Sequence, residues 1–524
     1  MGIYVNPTSD NFRMSKQSKI YVDKSQLIAE TNSVFATEQP FICISRPRRF
    51  GKTMAANMLA AYYGRSEDTA PLFEDLNISK ESSYGKHLNQ YDCIMVNMQN
   101  FLSHSGTIAE MIQKLSVDVV HELRKLYPDV DYLNTEHLNQ VMASIFQQTK
   151  RPFVILIDEW DCIFREYRED AESQKLYLEF LRMWLKNQSY VGLAYMTGIL
   201  PIKKYGSHSA LNMFWEYSMT DPGEYLPYFG FTNGEIEALA LKHPVELEEV
   251  KSWYNGYFIE LGTPIYNPTS VVQSFLRKQM NNYWNQTETY EALKVYIQMN
   301  FDGLKDKIIR LLSGERLFIN TQTFTNDMTT FNRSDDVLTL LIHLGYLSYS
   351  PLDKTITIPN QEVRTEFENA IHVLKWDGVI KAIQNSEALL QSIWRKDEQA
   401  TSAHLEKVHE QNSSILQYHD ENSLSCVVNL GLYGARNYYH VWRELPTGKG
   451  FADLVYVPRK NFSQKPALII ELKWDKTAQG AIQQIKDKNY VGALEDYHGN
   501  LLLMGINYDK KSKQYECLIE EFQS

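Results

Sequence analysis

Apolar residues in the first two hundred positions fall in short continuous runs rather than in alternation. Phe41–Ser45, Cys93–Met98, Phe153–Asp158 and Val191–Gly198 are such runs, three of them closing on a polar residue or a polar pair. Runs of this kind predict strands buried on both faces of a parallel sheet. After a charged loop, the first is followed by the helix-forming stretch Met54–Ala61, so this part of the chain predicts alternating strands and helices. Beyond Phe229 the pattern turns helical. Ser334 to Leu347 predicts a helix ending at Gly345, with short strand candidates at Leu347–Tyr349 and Thr355–Pro359 around Leu352-Asp-Lys354. Helix then hairpin fits a winged helix, and it fits a helical lid more economically. The charged stretch Arg395–Ser414 predicts a solvated helix or a connector. Strands return at Gly448–Val457 and Ala467–Lys473, separated by the turn-rich Pro458–Pro466, and a helix is predicted over Ala481–Tyr490.

The loop after the first run reads Arg46-Pro-Arg-Arg-Phe-Gly-Lys-Thr53. Strand, loop ending in Gly-Lys-Thr, and helix make a phosphate cradle. Loop amides beyond Gly51 and the helix N-terminus face the anion, Lys52 reaches the β/γ oxygens, and Thr53 supports magnesium. Arg46 stands where an ordinary P-loop has its first glycine. Arg46, Arg48 and Arg49 offer planar, permanently charged groups to a polyphosphate, and the sequence leaves open which of them acts on the nucleotide.

Asp158, closing the third run, is the expected second support for magnesium, and Glu159 the expected group to polarise the attacking water. A Glu directly after that Asp, with an additional strand at Cys93–Met98, points to the additional-strand branch of P-loop proteins, which hydrolyse ATP. Thr197 is a candidate γ-phosphate sensor or a hydroxyl that merely satisfies the strand end. Arg165, Arg168, Lys203 and Lys204 lie near the expected nucleotide edge, and none can be named as a finger acting across subunits.

A second constellation lies near the C-terminus. Period-two alternation places Glu471 and Lys473 on one face of a strand. Pairing with the preceding strand would bring Asp453 beside Glu471. Two carboxylates can hold magnesium, and an adjacent lysine can position water or neutralise a phosphate. On the helix that follows, Gln484 and Lys488 share a face at i, i+4.

Arg46–Thr53, Ile157-Asp-Glu-Trp-Asp161 and Thr197-Gly198 resemble the AAA-ATPase-like family of bacterial proteins with a C-terminal PD-(D/E)XK nuclease-like domain. Tyr21-Val-Asp-Lys24, Phe229-Gly-Phe-Thr232, Trp253-Tyr-Asn-Gly-Tyr257 and Tyr266-Asn-Pro268 extend the resemblance over most of the chain. Thr269 and Trp160 depart from the family pattern, away from the phosphate chemistry. The resemblance accounts for Arg46, and it implies a nuclease site at Asp453, Glu471 and Lys473. It adds Gln484, Lys488 and, on the preceding helix, Glu421 as accessory candidates.

Composition narrows the setting. The chain has 524 residues, 44% hydrophobic, with 25 Gly and 17 Pro, enough for several domains and too few breakers for long disordered tracts. Its five cysteines are scattered and read as buried thiols. No apolar run reaches membrane-span length and no signal pattern opens the chain, so a cytoplasmic protein with no membrane partner is expected. Net charge is −11, yet residues 425–524 carry 13 Lys and Arg against 11 Asp and Glu, so the acidity lies elsewhere. A locally positive groove is compatible with this, whereas strong ATP-independent DNA binding is not expected.

The sequence therefore predicts an α/β protein in three parts. Residues 1–285 form a P-loop AAA-like ATPase domain, a parallel sheet flanked by helices. Residues 286–400 form a mostly helical middle region. Residues 401–524 form an α/β restriction-endonuclease-like domain. The expected function is ATP hydrolysis coupled to magnesium-dependent cleavage of DNA, with RNA the less favoured substrate. The alternative is a nucleotide-controlled switch or assembly protein whose nuclease-like domain binds a partner or nucleic acid without cutting. Oligomerisation has no support in the sequence.

Overall fold

The computed structural model describes residues 2–202, 211–258, 261–284, 289–298, 302–325, 328, 331–412, 421–447, 450–488, 490 and 500–522. Lys203, Lys204, residues 448–449 and residue 489 lie outside the described residues, as do the side chains of 421 and 422. The chain forms two compact units. One comprises Met1–Thr289 and Phe318–Val363, the other Tyr290–Leu317 and Arg364–Ser524, so residues 286–400 contribute to both.

The first unit is built on a five-stranded parallel sheet: β1 (Phe41–Ser45), β2 (Asp92–Asn97), β3 (Phe153–Asp158), β4 (Val191–Gly198) and β5 (Trp215–Tyr217). Spatial order is β2-β3-β4-β1-β5. Every residue of β3 and β4 is buried, which is why their sequences are continuous apolar runs: each strand is covered on both faces. The strand separating β1 from β3 is β4; β2, the inserted run of the sequence reading, takes the sheet edge instead. β5 carries no apolar run, and its three residues are half-buried or exposed, so periodicity does not reveal it.

The helix Lys52–Tyr63 follows β1 and packs Ala56, Leu59, Tyr62 and Tyr63 into the core, together with Phe12 and Phe73, whose rings stack at 5.0 Å. Gly51 precedes it at φ +90, a left-handed conformation that glycine adopts without strain.

Several fragments that look unconnected in sequence are joined here. Lys24 Nζ donates to Pro227 O at 2.7 Å and to Glu235 at 2.6 Å. Glu235 closes a capping box with Thr232, which fixes the entry to the helix Asn233–Lys242. Asn267 caps the helix Pro268–Arg277 by accepting from Thr269 N and Ser270 N, with Pro268 in its first turn. Tyr257 OH donates to Gly345 O at 2.5 Å, tying the Trp-Tyr-Asn-Gly-Tyr segment to the end of the helix Ser334–His343. That helix is followed by an antiparallel pair, Ser348–Ser350 with Thr355–Thr357, as its sequence predicts.

The second unit contains a five-stranded mixed sheet in sequential order: β6 (Tyr439–Thr447), β7 (Gly450–Pro458), β8 (Ala467–Trp474), β9 (Leu501–Asp509) and β10 (Gln514–Glu521). All pairs are antiparallel except β8 with β9. The helix Ala478–Asp487 bridges that parallel pair and buries Ala481, Ile482 and Ile485. The stretch read as a solvated helix or a connector forms the helix Glu398–Asn412. Its acids accept backbone N–H groups of β10, Glu398 from Ile519 at 2.8 Å and Glu406 from Tyr515 at 3.2 Å, so it belongs to this unit. All five cysteines are buried and free.

Candidate active sites

In the first unit the ends of β1, β2, β3 and β4 converge on Asp158. Its Oδ2 accepts from Thr53 Oγ1 at 2.8 Å and from Asn97 Nδ2 at 3.2 Å, and its Oδ1 accepts from Thr197 Oγ1. Asn97, the last residue of β2, also caps the helix Met98–Ser103. The sequence reading missed Asn97. The available signal was a polar residue closing an apolar strand, the same signal that singled out Thr197. A carboxylate given three hydrogen bonds from hydroxyls and an amide is held in one orientation. A hydroxyl and a carboxylate so placed have the chemistry to hold a hard cation.

Lys52 Nζ donates to the carbonyls of Arg46 and Pro47, at 2.9 Å each. Burial pulls its pKa down, against the opposing pull of Glu159, Asp158 and Asp161. Glu159 has φ +54 and pairs with Arg165, whose side chain is 10% exposed. Burial, and then Asp161, raise the Glu159 pKa, while Arg165 and Lys52 oppose the rise. Asp161 is fully buried and accepts from Ile199 N at 3.0 Å and Leu200 N at 2.8 Å.

Lys52, Thr53 and Glu159 border a cavity of about 480 Å³. Its lining combines polar groups, Arg48, Arg49, Lys52, Thr53 and Glu159 among them, with apolar ones such as Tyr21, Met58 and Phe231. An elongated ligand with one anionic end and one flat apolar end suits such walls.

Arg46 departs from its expected place. It is fully buried, and Nη1 donates to Ser45 O at 3.0 Å and Tyr217 O at 2.9 Å. Its guanidinium lies 5.8 Å from the Phe229 ring and 5.9 Å from that of Phe258. It is an anchor beneath the loop, not a lining group of the cavity: the backbone at the end of β5 supplies acceptors, and the aromatic faces supply cation–π contacts. Arg49, at φ +69, lines the cavity and donates to Tyr283 O at 2.9 Å. Arg48 also lines it.

In the second unit, pairing of β7 with β8 reaches Leu454–Ile470, and Asp453 and Glu471 stand next along the two strands. Asp453 Oδ2 accepts from Leu472 N at 2.8 Å. Glu471 is 1% exposed. Its Oε1 accepts from Lys473 Nζ at 3.0 Å and from Gln484 Nε2, while Oε2 is buried with no hydrogen-bond partner among the described residues. Burial and then Asp453 push the Glu471 pKa up to about 7, with Lys473 and Lys488 opposing. Gln484 Nε2 also reaches the buried Tyr490 OH at 3.3 Å, and Lys488 Nζ lies 5.9 Å from the Tyr490 ring. The structure thus gathers Asp453, Glu471, Lys473 and Gln484. Glu421 opens the helix Glu421–Gly431, but its side chain lies outside the described residues. An orphaned carboxylate oxygen next to a second carboxylate suits a divalent cation. Among the described residues, no group of three or more His, Cys, Asp or Glu is arranged to hold a metal. No described helix is long and apolar enough to cross a membrane.

A protein from Azotobacter chroococcum mcd 1, described as uncharacterized and encoded in the vnfD 5′ region, is 21% identical over 548 aligned residues, covering 96% of this chain and 95% of that protein. Among solved structures, a Walker-type ATPase of Pyrococcus abyssi aligns with a TM-score of 0.36 at 13% identity, over 66% of this chain and 94% of that one. The ORC2 protein of Aeropyrum pernix, solved as ADPNP and ADP complexes, aligns at 0.31 and 10% identity, over 68% and 97%. Residues 8–207 match the family model of predicted AAA-ATPases and residues 396–517 that of the PD-(D/E)XK nuclease superfamily, so the chain carries an AAA-ATPase-like domain followed by a nuclease-superfamily domain.

Proposed function

We propose that this protein binds and hydrolyses ATP in the first unit and cleaves DNA phosphodiesters in the second, with magnesium at each site. In the ATPase site, Lys52 and the amides after Gly51 hold the β- and γ-phosphates, and Arg48 and Arg49 add positive charge at the cavity wall. Thr53 and Asp158 hold magnesium, Thr197 senses the γ-phosphate through Asp158, and Glu159 orients the attacking water. In the nuclease site, Asp453 and Glu471 hold magnesium, which when bound supplies Lewis acidity toward a phosphodiester. Lys473 steadies water or the scissile phosphate, Gln484 orients Glu471, and Lys488 adds positive charge nearby. Nucleotide turnover governs when the nuclease acts.

The observation that carries the nuclease reading is the asymmetry of Glu471: one oxygen takes Lys473 and Gln484, while the other is buried, orphaned and adjacent to Asp453. An unpaired buried acceptor costs about 1–3 kcal/mol, and a divalent cation shared with Asp453 would satisfy it.

The test is DNA cleavage by the purified protein with magnesium or manganese, with and without ATP, beside Lys473→Ala. ATP-responsive cleavage lost in the variant is expected. ATP hydrolysis without cleavage of linear, circular or single-stranded DNA would turn the reading to a nucleotide-controlled switch.

A further inference from the structure

We propose that Arg165 is a positioning residue for Glu159, acting within the same chain and tying that carboxylate to the end of β4. The proposal rests on the reading of Glu159 as the water-orienting group.

Arg165 lies in the short helix Cys162–Glu166, where its side chain is 10% exposed. Its Nη2 bonds Glu159 Oε2, and among the described residues it is the hydrogen-bond donor to that carboxylate. Its Nε stands 3.4 Å from Asp161 Oδ2. That same oxygen of Asp161 accepts the N–H groups of Ile199 and Leu200, the two residues directly after Gly198. A continuous chain of contacts therefore runs from the backbone beyond β4 through Asp161 and Arg165 to Glu159. Thr197, two residues before Ile199, binds Asp158. The end of β4 thus holds both acids of the Asp158-Glu159 pair, one through a hydroxyl and the other through a guanidinium.

Glu159 needs such a hold. It sits in a left-handed turn at φ +54, beyond the last hydrogen-bonded residue of β3, so the ladder does not fix its side chain. A guanidinium ion-paired with a second carboxylate is restricted in orientation, and it passes that restriction to Glu159 through a charge-assisted bond. Both ends of the arrangement lie in one chain, so the role proposed for Arg165 is in cis.

The test compares steady-state ATP hydrolysis and nucleotide binding for the wild type, R165Q, R165K and the E159Q/R165Q double variant. R165Q is expected to lower kcat by roughly 10- to 100-fold, within the range of general acid–base contributions. KM and nucleotide Kd should stay within about 2-fold, the signature of an interaction used in the transition state. R165K should recover part of the rate. E159Q/R165Q should be no slower than E159Q, because the two residues act as one unit. R165Q turning over at the wild-type kcat, or faster, overturns the proposal, and so does an additive loss in the double variant. Activity restored by mixing R165Q with K52A would place Arg165 in trans and overturn it as well. If R165Q does not fold, R165K carries the test: lowered kcat at kept KM supports the role, and unchanged kcat overturns it. A distinct pattern, wild type and E159Q hydrolysing ATP equally, would overturn the role of Glu159 itself.

Discussion

Thr53 Oγ1 and Asp158 Oδ2 lie 2.8 Å apart across 105 positions of sequence, joining the first turn of the phosphate-loop helix to the end of β3. On the proposed reading this pair holds magnesium with the nucleotide. Thr53→Ala is expected to raise the magnesium concentration for half-maximal ATP hydrolysis by about 10-fold or more, in line with the loss of a ligand contact. A magnesium titration of the rate checks it, and an unchanged midpoint would move the metal away from Thr53.

Lys52 and Glu159 should separate binding from turnover. Lys52→Ala is expected to abolish ATP turnover by removing the ammonium that donates to the carbonyls of Arg46 and Pro47. Glu159→Gln is expected to bind ATP with near wild-type affinity and hydrolyse it at least about 100-fold more slowly. Equilibrium binding beside single-turnover hydrolysis distinguishes the two.

Glu471→Ala and Lys473→Ala should leave ATP hydrolysis largely intact while removing DNA cleavage. The two sites occupy different compact units. Cleavage that survives both variants would mean that the chemistry lies elsewhere.

The raised Glu471 pKa gives a pH signature with a definite sign. The folded chain holds this proton up to about pH 7, against an ordinary value of 4.5. Between those values the folded state binds more protons, so stability falls as pH rises through the window and stays lower above it. The difference corresponds to at most about 3 kcal/mol. Glu471→Gln should therefore stabilise the metal-free protein at pH 8 and change little at pH 4.5, measured by urea unfolding in EDTA. Cleavage by the wild type should rise through pH 7, since a cation binds the ionised carboxylate.

Gly198 ends β4 where Trp160 and Asp161 crowd the backbone. A Cβ there would meet Trp160 Nε1 at 2.6 Å and Asp161 Oδ1 at 2.9 Å. Both belong to buried side chains with little room to yield. Gly198→Ala is expected to cost about 1–3 kcal/mol, seen as a lowered Tm, with ATP hydrolysis reduced because Asp161 is displaced. Gly51→Ala meets no neighbour within 4 Å; its penalty comes from the φ of +90 alone, about 1–2 kcal/mol.

What could be read from the sequence followed from burial. β1, β3 and β4 are covered on both faces, so their apolar runs stand out, and the buried acids and hydroxyls at their ends mark where the runs stop. Glu471 and Lys473 were legible because strand alternation alone puts them on one face. β5 was not legible: three half-exposed residues carry no periodic signal. β10 carries a weaker signal because one of its faces is half-exposed, whereas β9, buried almost throughout, opens on an apolar run that the sequence reading passed over. Asn97 and Arg165 act through partners far apart in sequence or across a tight turn, and only tertiary structure supplies those partners. Arg46 shows the opposite difficulty, since its place in the motif pointed to phosphate while its surroundings pull it into the core.

Sealing a guanidinium under the phosphate loop makes the shape of that loop a property of the aromatic core. Phe229 and Phe258 hold Arg46 from below, and Arg46 and Pro47 present to Lys52 the carbonyls that anchor it. Nucleotide affinity then becomes a gauge of interior packing. Loosening those two rings, by warming or by trimming one of them, should blunt the grip on ATP well before any helix or strand is lost.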